Sequence, residues 1–434
     1  MKRALCHSIC LFLAFVSSGS AQTNTNTTPI LTLAEAKRLA LQNHPQIAAA
    51  NYRVLAAHEV VKEARAGFFP NANLYANGVA AGSDNTRILA GGLNNPSVFD
   101  RTAGGLAVNQ LITDFGHTAN LAASSKFQAE AENENANATR DDVLLRVEVS
   151  YFSALEAQAV LKVAQTTFDT RQLLTDQVTL LASNKLKSDL DVSFARIALE
   201  EGRLLLQRAQ NDANAAMTSL STALGLHEPR EYQLVEQSPT DYSITNDVSN
   251  LVETALAQRP ELMSLRAGHE AAIRFAKSQR DSRLPTVSAV GVMGDALTHD
   301  SHLPDHYAAG GIQLSLPLFE GGLYVARQRE AEYRAQSDDQ LIRAMEDNIV
   351  RDVHLGWLNV NNALEQLNTT GQLVRNSSEA YDLAQARYKI GSSSIVELSQ
   401  AQLSLTSAQI ADANAHYNVL IQQANLSHEV GVLR

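Results

Sequence analysis

Two kinds of residue pattern alternate along this chain in a fixed order: short stretches of period two and very long stretches of helical period. In "NANLYANGVA", Asn71, Asn73 and Asn77 share one face of an extended strand, and Ala72, Leu74 and Ala76 share the other. "GIQLSLPL" alternates more cleanly, with Ile312, Leu314, Leu316 and Leu318 opposed to Gln313 and Ser315. "GGLAVNQLI" is a fair strand and "TVSAVGVMG" a weak one. The pattern predicts four strands, at about 70–81, 103–113, 285–294 and 307–318, arranged as two hairpins.

The helical stretches flank these strands. Leu33 to about Ala66 has helical spacing, with Thr32 as its cap and Glu35 in capping-box position; Pro70 and Pro285 close this helix and its later counterpart. From His117 to about Ser183 there is no proline. Its apolar residues form two adjacent seams, Leu144, Val147, Tyr151, Leu155 and Leu145, Val149, Phe152, which require two helical neighbours. A turn at about 183–188 leads to a return helix from about Ser188 to Leu224, with Leu206, Ala209, Ala213, Ala216 and Leu220 at heptad-like intervals. A second such turn lies at about 389–394, where Gly391 is the break.

The order recurs because the chain repeats itself. At an offset of about 215, Ala40 falls on Ala255, Leu41 on Leu256 and Pro45 on Pro260. At an offset of about 206, Gly104 and Gly105 fall on Gly310 and Gly311, Gly116 on Gly322, Val147 on Val353, Ala195 on Ala401 and Gly225 on Gly431. The predicted organisation is a first repeat over 30–227, a linker over 228–246 and a second repeat over 247–434.

Length arithmetic turns this into an architecture. At 1.5 Å per residue the descending helix spans about 100 Å, the return helix about 55 Å and the first helix about 50 Å. Short helices stacked end to end beside long ones make a wall. Strands of about ten residues with one apolar face match the length of a membrane β-strand. Four strands cannot close and an open edge is not tolerated in lipid, so closure requires several chains. Two copies give eight strands and a filled barrel; three give twelve and an aqueous lumen, which is the favoured reading.

Composition narrows the class. Lys2 and Arg3 precede the apolar run "ALCHSICLFLAFV", and small residues at Gly19 and Ala21 suit a signal peptidase, so 1–21 reads as a cleaved export signal. Both cysteines, Cys6 and Cys10, lie inside it and outside any lipoprotein setting. The mature chain then carries no thiol, which removes disulfides and cysteine-ligated metals together. The formal net charge of −11 becomes about −13 after cleavage, a poor match for nucleic acid. No later apolar run approaches the roughly 20 residues of a spanning helix.

Candidate chemistry is sparse. "THDSHLPDH" offers His299, His302 and His306 with Asp300 and Asp305, but it sits in a hairpin loop, where a polar connection is the simpler reading. His58, His269 and His428 each precede a glutamate without the second histidine of a zinc-protease helix. Trp357 falls on Tyr151 in the repeat and reads as a seam residue. No phosphate-binding loop or nucleophile elbow occurs, and neither a cofactor nor a metal is expected.

The paired "ALQNHPQI" and "ALAQRPEL", the strand-to-helix junctions "LITDFG" and "LPLFEGG", and the tip segment "ARYKIGSSSIVELSQAQ" together resemble the TolC family of outer membrane efflux proteins, or outer membrane factors, over the whole mature chain. The resemblance implies a mainly α chain with transmembrane β: a homotrimer with a 12-stranded barrel in outer membrane lipid, continued by an α-helical barrel across the periplasm. It implies a periplasmic adaptor and an inner-membrane pump as partners, and a channel that catalyses nothing. Glu397 then occupies a constriction ring, Asp191 is its counterpart in the first repeat, and Tyr388 is a tyrosine able to hydrogen-bond to that aspartate. Carboxylates converging on a threefold axis would hold cations and repel anions. Ser393 stands where related tips often carry a basic residue, and Gln400 where a second acid can stand. Lys185, Lys187, Ser188, Gly391, Ser393 and Ser394 are the adaptor-contacting tips; Gly116, Pro317, Gly321 and Gly322 are the corners where strand becomes helix. A periplasmic coiled-coil scaffold or adaptor is the alternative, and it predicts one hairpin and a compact β-domain.

Overall fold

The computed structural model of the chain describes residues 29–79, 86–87, 97–98, 101–236, 247–298 and 304–433. The export signal, the end of the linker, and His299, Asp300 and His302 lie outside the described residues. In chain order the elements are β1 (Ile30–Leu31), α1 (Leu33–Asn43), α2 (Pro45–Ala66), β2 (Asn71–Val79), β3 (Thr86–Arg87), β4 (Ser97–Val98), β5 (Arg101–Thr113), α3 (His117–Ser183) and α4 (Asp189–Ala223). They continue as β6 (Gln233–Leu234), α5 (Val248–Gln258), α6 (Pro260–Asp281), β7 (Thr286–Thr298), β8 (His306–Ser315), α7 (Leu323–Lys389) and α8 (Ile395–Val430).

The two long helices, α3 and α7, are each 67 residues. Around them the short helices stack in two tiers. Beside the strands the packing order is α2, α3, α6, α7; towards the turns it is α4, α3, α8, α7. Each long helix thus meets different neighbours above and below, as two seams on one helix require.

The first helix of each half is broken, contrary to the continuous spacing expected over Leu33 to Ala66. His44 and Arg259 adopt extended backbone ahead of Pro45 and Pro260, because a proline disfavours helical geometry in the residue before it. Both prolines then start the next helix at its first turn, where a missing N–H leaves no bond unmade. At the other end α2 and α6 stop at Ala66 and Asp281, a few residues before Pro70 and Pro285.

The four long strands form one antiparallel sheet in the order β2, β5, β7, β8. β5 and β7 join the two hairpins, with Gly105 opposite Gly294 and Asn109 opposite Val290. β7 runs four residues past its expected end, to Thr298, whereas β8 stops at Ser315, so Leu316 and Leu318 are not strand residues. Pro317 follows at once, and it cannot donate to a ladder. β2 and β8 are the edges of the sheet, and neither has a further strand beside it among the described residues.

The register sorts the sheet into two faces. Leu74, Leu106, Met293, Ile312 and Leu314 fall on one, and all five are exposed. The other carries Asn71, Asn73, Asn77, Asn109, Ser288 and Gln313.

Midway along the wall, α1, α4, α8 and the middle of α3 enclose an apolar cluster that includes Val143, Val147, Tyr151, Leu155 and Leu220. Tyr151 is fully buried, and its hydroxyl donates to the carbonyls of Leu31 (2.9 Å) or Val235 (2.8 Å) and accepts from the Val235 amide (3.1 Å). It clamps the small parallel pair β1 and β6 against α3. No described helix is long and apolar enough to cross a membrane.

Candidate functional site

Two helical turns form the tip of the molecule. Helix α3 ends at Ser183 and α4 begins at Asp189; α7 ends at Lys389 and α8 begins at Ile395. Both return helices are capped by serine: Ser188 Oγ accepts from the Asp191 amide at 3.1 Å, and Ser394 Oγ accepts from the Glu397 amide at 3.2 Å. At Ser188 the box is complete, since the Asp191 carboxylate also accepts from the Ser188 amide at 3.1 Å and its hydroxyl at 2.9 Å. Asp191 is therefore committed to its own helix start.

The turns need left-handed backbone at one point each. Gly391 has φ of 77°, and Lys185, its counterpart at the repeat offset, has φ of 60°. A lysine in this region is strained where a glycine is not. The same holds at the upper corners, where Phe115 (φ 55°) matches Gly321 (φ 58°) and Gly116 (φ 114°) matches Gly322 (φ 84°). The repeat could have exposed both strained residues in the sequence, because each aligns with a glycine.

The two turns pack on each other through Val178 and Ala195 on one side and Ala384, Tyr388, Ile395 and Leu398 on the other. Tyr388 is buried there with the Lys187 ammonium 4.1 Å from its ring centroid, a cation–π contact. Its hydroxyl has no hydrogen-bond partner among the described residues, so the expected bond to Asp191 is not formed. Burial, and then the nearby Asp191 charge, push the phenol pKa up.

Glu397 does not stand alone either: its carboxylate is 2.8 Å from Arg387 Nη1. Arg387 went unnoticed in the sequence because the turn separates it from Glu397 by ten positions. Ser393 Oγ reaches the Ala384 carbonyl at 3.5 Å, at the limit of a hydrogen bond. Higher in the first hairpin, buried Arg171 donates to the Ala198 carbonyl at 2.6 Å and Thr175 to the Ala195 carbonyl at 3.0 Å, fastening α3 to α4. Gly202 leaves the space for the arginine stem. Burial lowers the Arg171 pKa, and Glu201 opposes that shift.

The upper corner is held by a polar network. Asp281, buried at the end of α6, accepts from Asn120 at 2.7 Å and from Arg280 at 3.0 Å. His117 Nδ1 lies 2.9 Å from the Ser278 carbonyl, and Ser124 donates to the Ala271 carbonyl at 2.8 Å. A Cβ on Gly116 would come within 3.0 Å of Asp281, so a side chain there would press on this network as well as strain the backbone. Pro317 sits just beyond β8, and Gly321 and Gly322 lead into α7, with Gly322 as its cap.

Where the two tiers meet, His428 lies 3.1 Å from Asp142 and 4.0 Å from Glu429. Burial alone would lower its pKa; the two carboxylates outweigh that and raise it to about 9. Arg259 donates to Glu429 at 2.8 Å from the helix break. Among the described residues no group of three or more His, Cys, Asp or Glu is placed to hold a metal ion.

Comparison with known proteins matches residues 37–226 and 251–432 to the family described as outer membrane efflux protein. The chain is 25% identical over 397 residues to outer membrane protein TolC of Escherichia coli, covering 87% of this chain and 78% of that one. It is 26% identical over 432 residues to the alkaline protease secretion protein AprF of Pseudomonas aeruginosa, covering 93% and 85%. Among solved structures, the CmeC outer membrane channel of Campylobacter jejuni superposes with a TM-score of 0.79 at 17% identity, over 98% of this chain and 94% of that one.

Proposed function

The chain belongs to the outer membrane efflux protein family, and from that premise we infer that it is the outer-membrane channel of an efflux or secretion system. It resides in the outer membrane, with its helices extending into the periplasm. The finer reading is a homotrimer whose twelve strands close a barrel in lipid and whose helices continue it as a tunnel. The halves of each chain are taken as tandem repeats, supported by equal long helices and matching left-handed corners.

The observation that carries this reading is the sheet. Its apolar face leaves Leu74 83% and Ile312 76% exposed, and its edges β2 and β8 have no strand partners among the described residues. Lipid would cover such a face, and neighbouring copies would complete such edges. A periplasmic coiled-coil scaffold requires neither.

The tips serve as the periplasmic gate and as the contact for an adaptor, which couples the channel to an inner-membrane pump. The pump supplies energy; the channel is a passive conduit that catalyses no reaction. At the gate Glu397 faces the pore but is partly neutralised by Arg387, so the ring is less anionic than its carboxylates alone would make it.

Cross-linking tests the assembly. With the signal removed the chain has no cysteine, so one substitution on each edge, such as Leu74→Cys and Ile312→Cys together, reports only contacts between copies. A scan of such pairs in outer membranes should yield covalent dimers and trimers at one register. Monomer throughout, in the soluble periplasmic fraction, would sink the channel reading.

A further inference from the structure

One row of residues crosses the whole sheet on its polar face: Tyr75 on β2, Gly105 on β5, Gly294 on β7 and Tyr307 on β8 are successive register partners. The Tyr307 ring lies back across both glycines. A Cβ on Gly294 would come within 2.5 Å of the Tyr307 hydroxyl and 2.6 Å of the Gly105 Cα, and one on Gly105 would collide with the same hydroxyl. Paired glycines in strand interiors weaken a sheet unless something uses the space, and here an aromatic ring occupies it. Tyr75 stands at the opposite end of the row, so two tyrosines flank a pair of glycines.

Their setting separates them from ordinary strand tyrosines. Every other large apolar side chain that the four long strands leave exposed is on the opposite face: Leu74, Leu106, Ile112, Met293, Leu297, Ile312 and Leu314. Of the large apolar side chains left exposed on the described long strands, only Tyr75 and Tyr307, at 58% and 41%, are on the polar face. Gly105 lies near the start of β5, and Tyr307 near the start of β8. Both starts are at the end of the sheet remote from the helices, which places the row towards the exit of the barrel.

We propose that the Tyr75 and Tyr307 rings form a luminal contact site for flat aromatic solutes, organic cations above all, as they leave the channel. The inference rests on the reading of the sheet as a barrel wall with its polar face inward. Two rings per copy give six in a trimer, on a face that also carries carboxamides, hydroxyls and small side chains, with Leu111, Val290 and Val292 nearer the helices. A ring face attracts a cation that has little hydration to lose, and it stacks on an aromatic one. The glycine floor lets Tyr307 lie against the wall, so the site is a lining and leaves the bore open.

The test is block of single channels in planar bilayers by tetraphenylphosphonium against tetrabutylammonium, each added on the barrel side to the full-length protein after export. The unblocked conductance, recorded first, reads the barrel assignment by itself; its absence removes both readings. With the pore present, wild type should bind tetraphenylphosphonium several-fold more tightly than tetrabutylammonium. Tyr75→Leu should reduce that preference by about threefold, and Tyr75→Phe should keep it. Tyr307→Leu removes the cover of two glycines and can fail to fold, whereas Tyr75 covers neither and its variants keep the test open. A wild-type pore without the preference, or a Tyr75→Leu pore that retains it in full, overturns the proposal and leaves Tyr307 as a brace of the sheet only.

Discussion

Arg387 and Glu397 face each other across the second tip turn with Nη1 and Oε1 2.8 Å apart, so this acid of the proposed gate is paired within its own chain. Both side chains are about half exposed, and pairs of this kind add well under 1 kcal/mol to stability. The consequence of the pair is therefore electrical.

Arg387→Ala should raise cation selectivity, because it leaves Glu397 unbalanced in the gate proposed at the tip. Glu397→Ala should lower it, because Arg387 is left unbalanced in turn. Reversal potentials under a salt gradient measure both. Equal selectivity in the two variants would remove this pair from the pore.

Gly225→Ala and Gly431→Ala probe the joints where each return helix meets a broken first helix. Both glycines are left-handed, at φ 75° and 77°. A Cβ would lie 2.7 Å from the His44 Cα in the first case and 3.2 Å from the Arg259 amide nitrogen in the second. Backbone strain of about 1–2 kcal/mol applies to both, with overpacking of about 1–3 kcal/mol added mainly at Gly225. Guanidinium midpoints should fall for both variants and further for Gly225→Ala.

These joints mark the limit of what the sequence discloses. Alternation placed Leu74, Ile312 and the asparagine face correctly because period two is a property of single residues. The corners at Gly116 and Gly322 and the turn at Gly391 were legible because glycine is there for its backbone freedom. The break at His44 was not, since apolar spacing runs through it and Pro45 could equally have been read as a first-turn residue within a longer helix. The sequence allowed Asp191 two roles, since an acid three positions after a serine is both a capping partner and a gate candidate; the capping bonds are formed within the chain. The Asp281 network and the Arg387 pair join residues that only folding brings together.

Tyr151→Phe should destabilise the chain by about 1–3 kcal/mol, since it leaves the Leu31 and Val235 groups that the hydroxyl serves short of a partner in a buried setting. Hydrogen exchange at the Val235 amide, which is shared between this hydroxyl and the Leu31 carbonyl, should accelerate first. An unchanged exchange rate would mean that β1 and β6 hold without the clamp.

His428 makes stability fall with pH in a defined window. Its pKa is raised to about 9 in the fold from an ordinary value of about 6.5, so the protonated form is the one the fold favours. The contribution is complete below pH 6.5 and declines as pH rises, vanishing above about 9; its upper size is about 3 kcal/mol. His428→Gln should lower stability at pH 6 and flatten its decline between pH 6.5 and 9. A wild type equally stable at pH 6.5 and 9.5 would contradict the assignment.

Single-channel recording of the protein extracted from outer membranes tests the central claim most directly. Inserted into a planar bilayer, it should give discrete, long-lived conductance steps from a species that migrates as a trimer before heating and a monomer after it. A purified, folded protein that stays monomeric and leaves the bilayer silent would contradict the account.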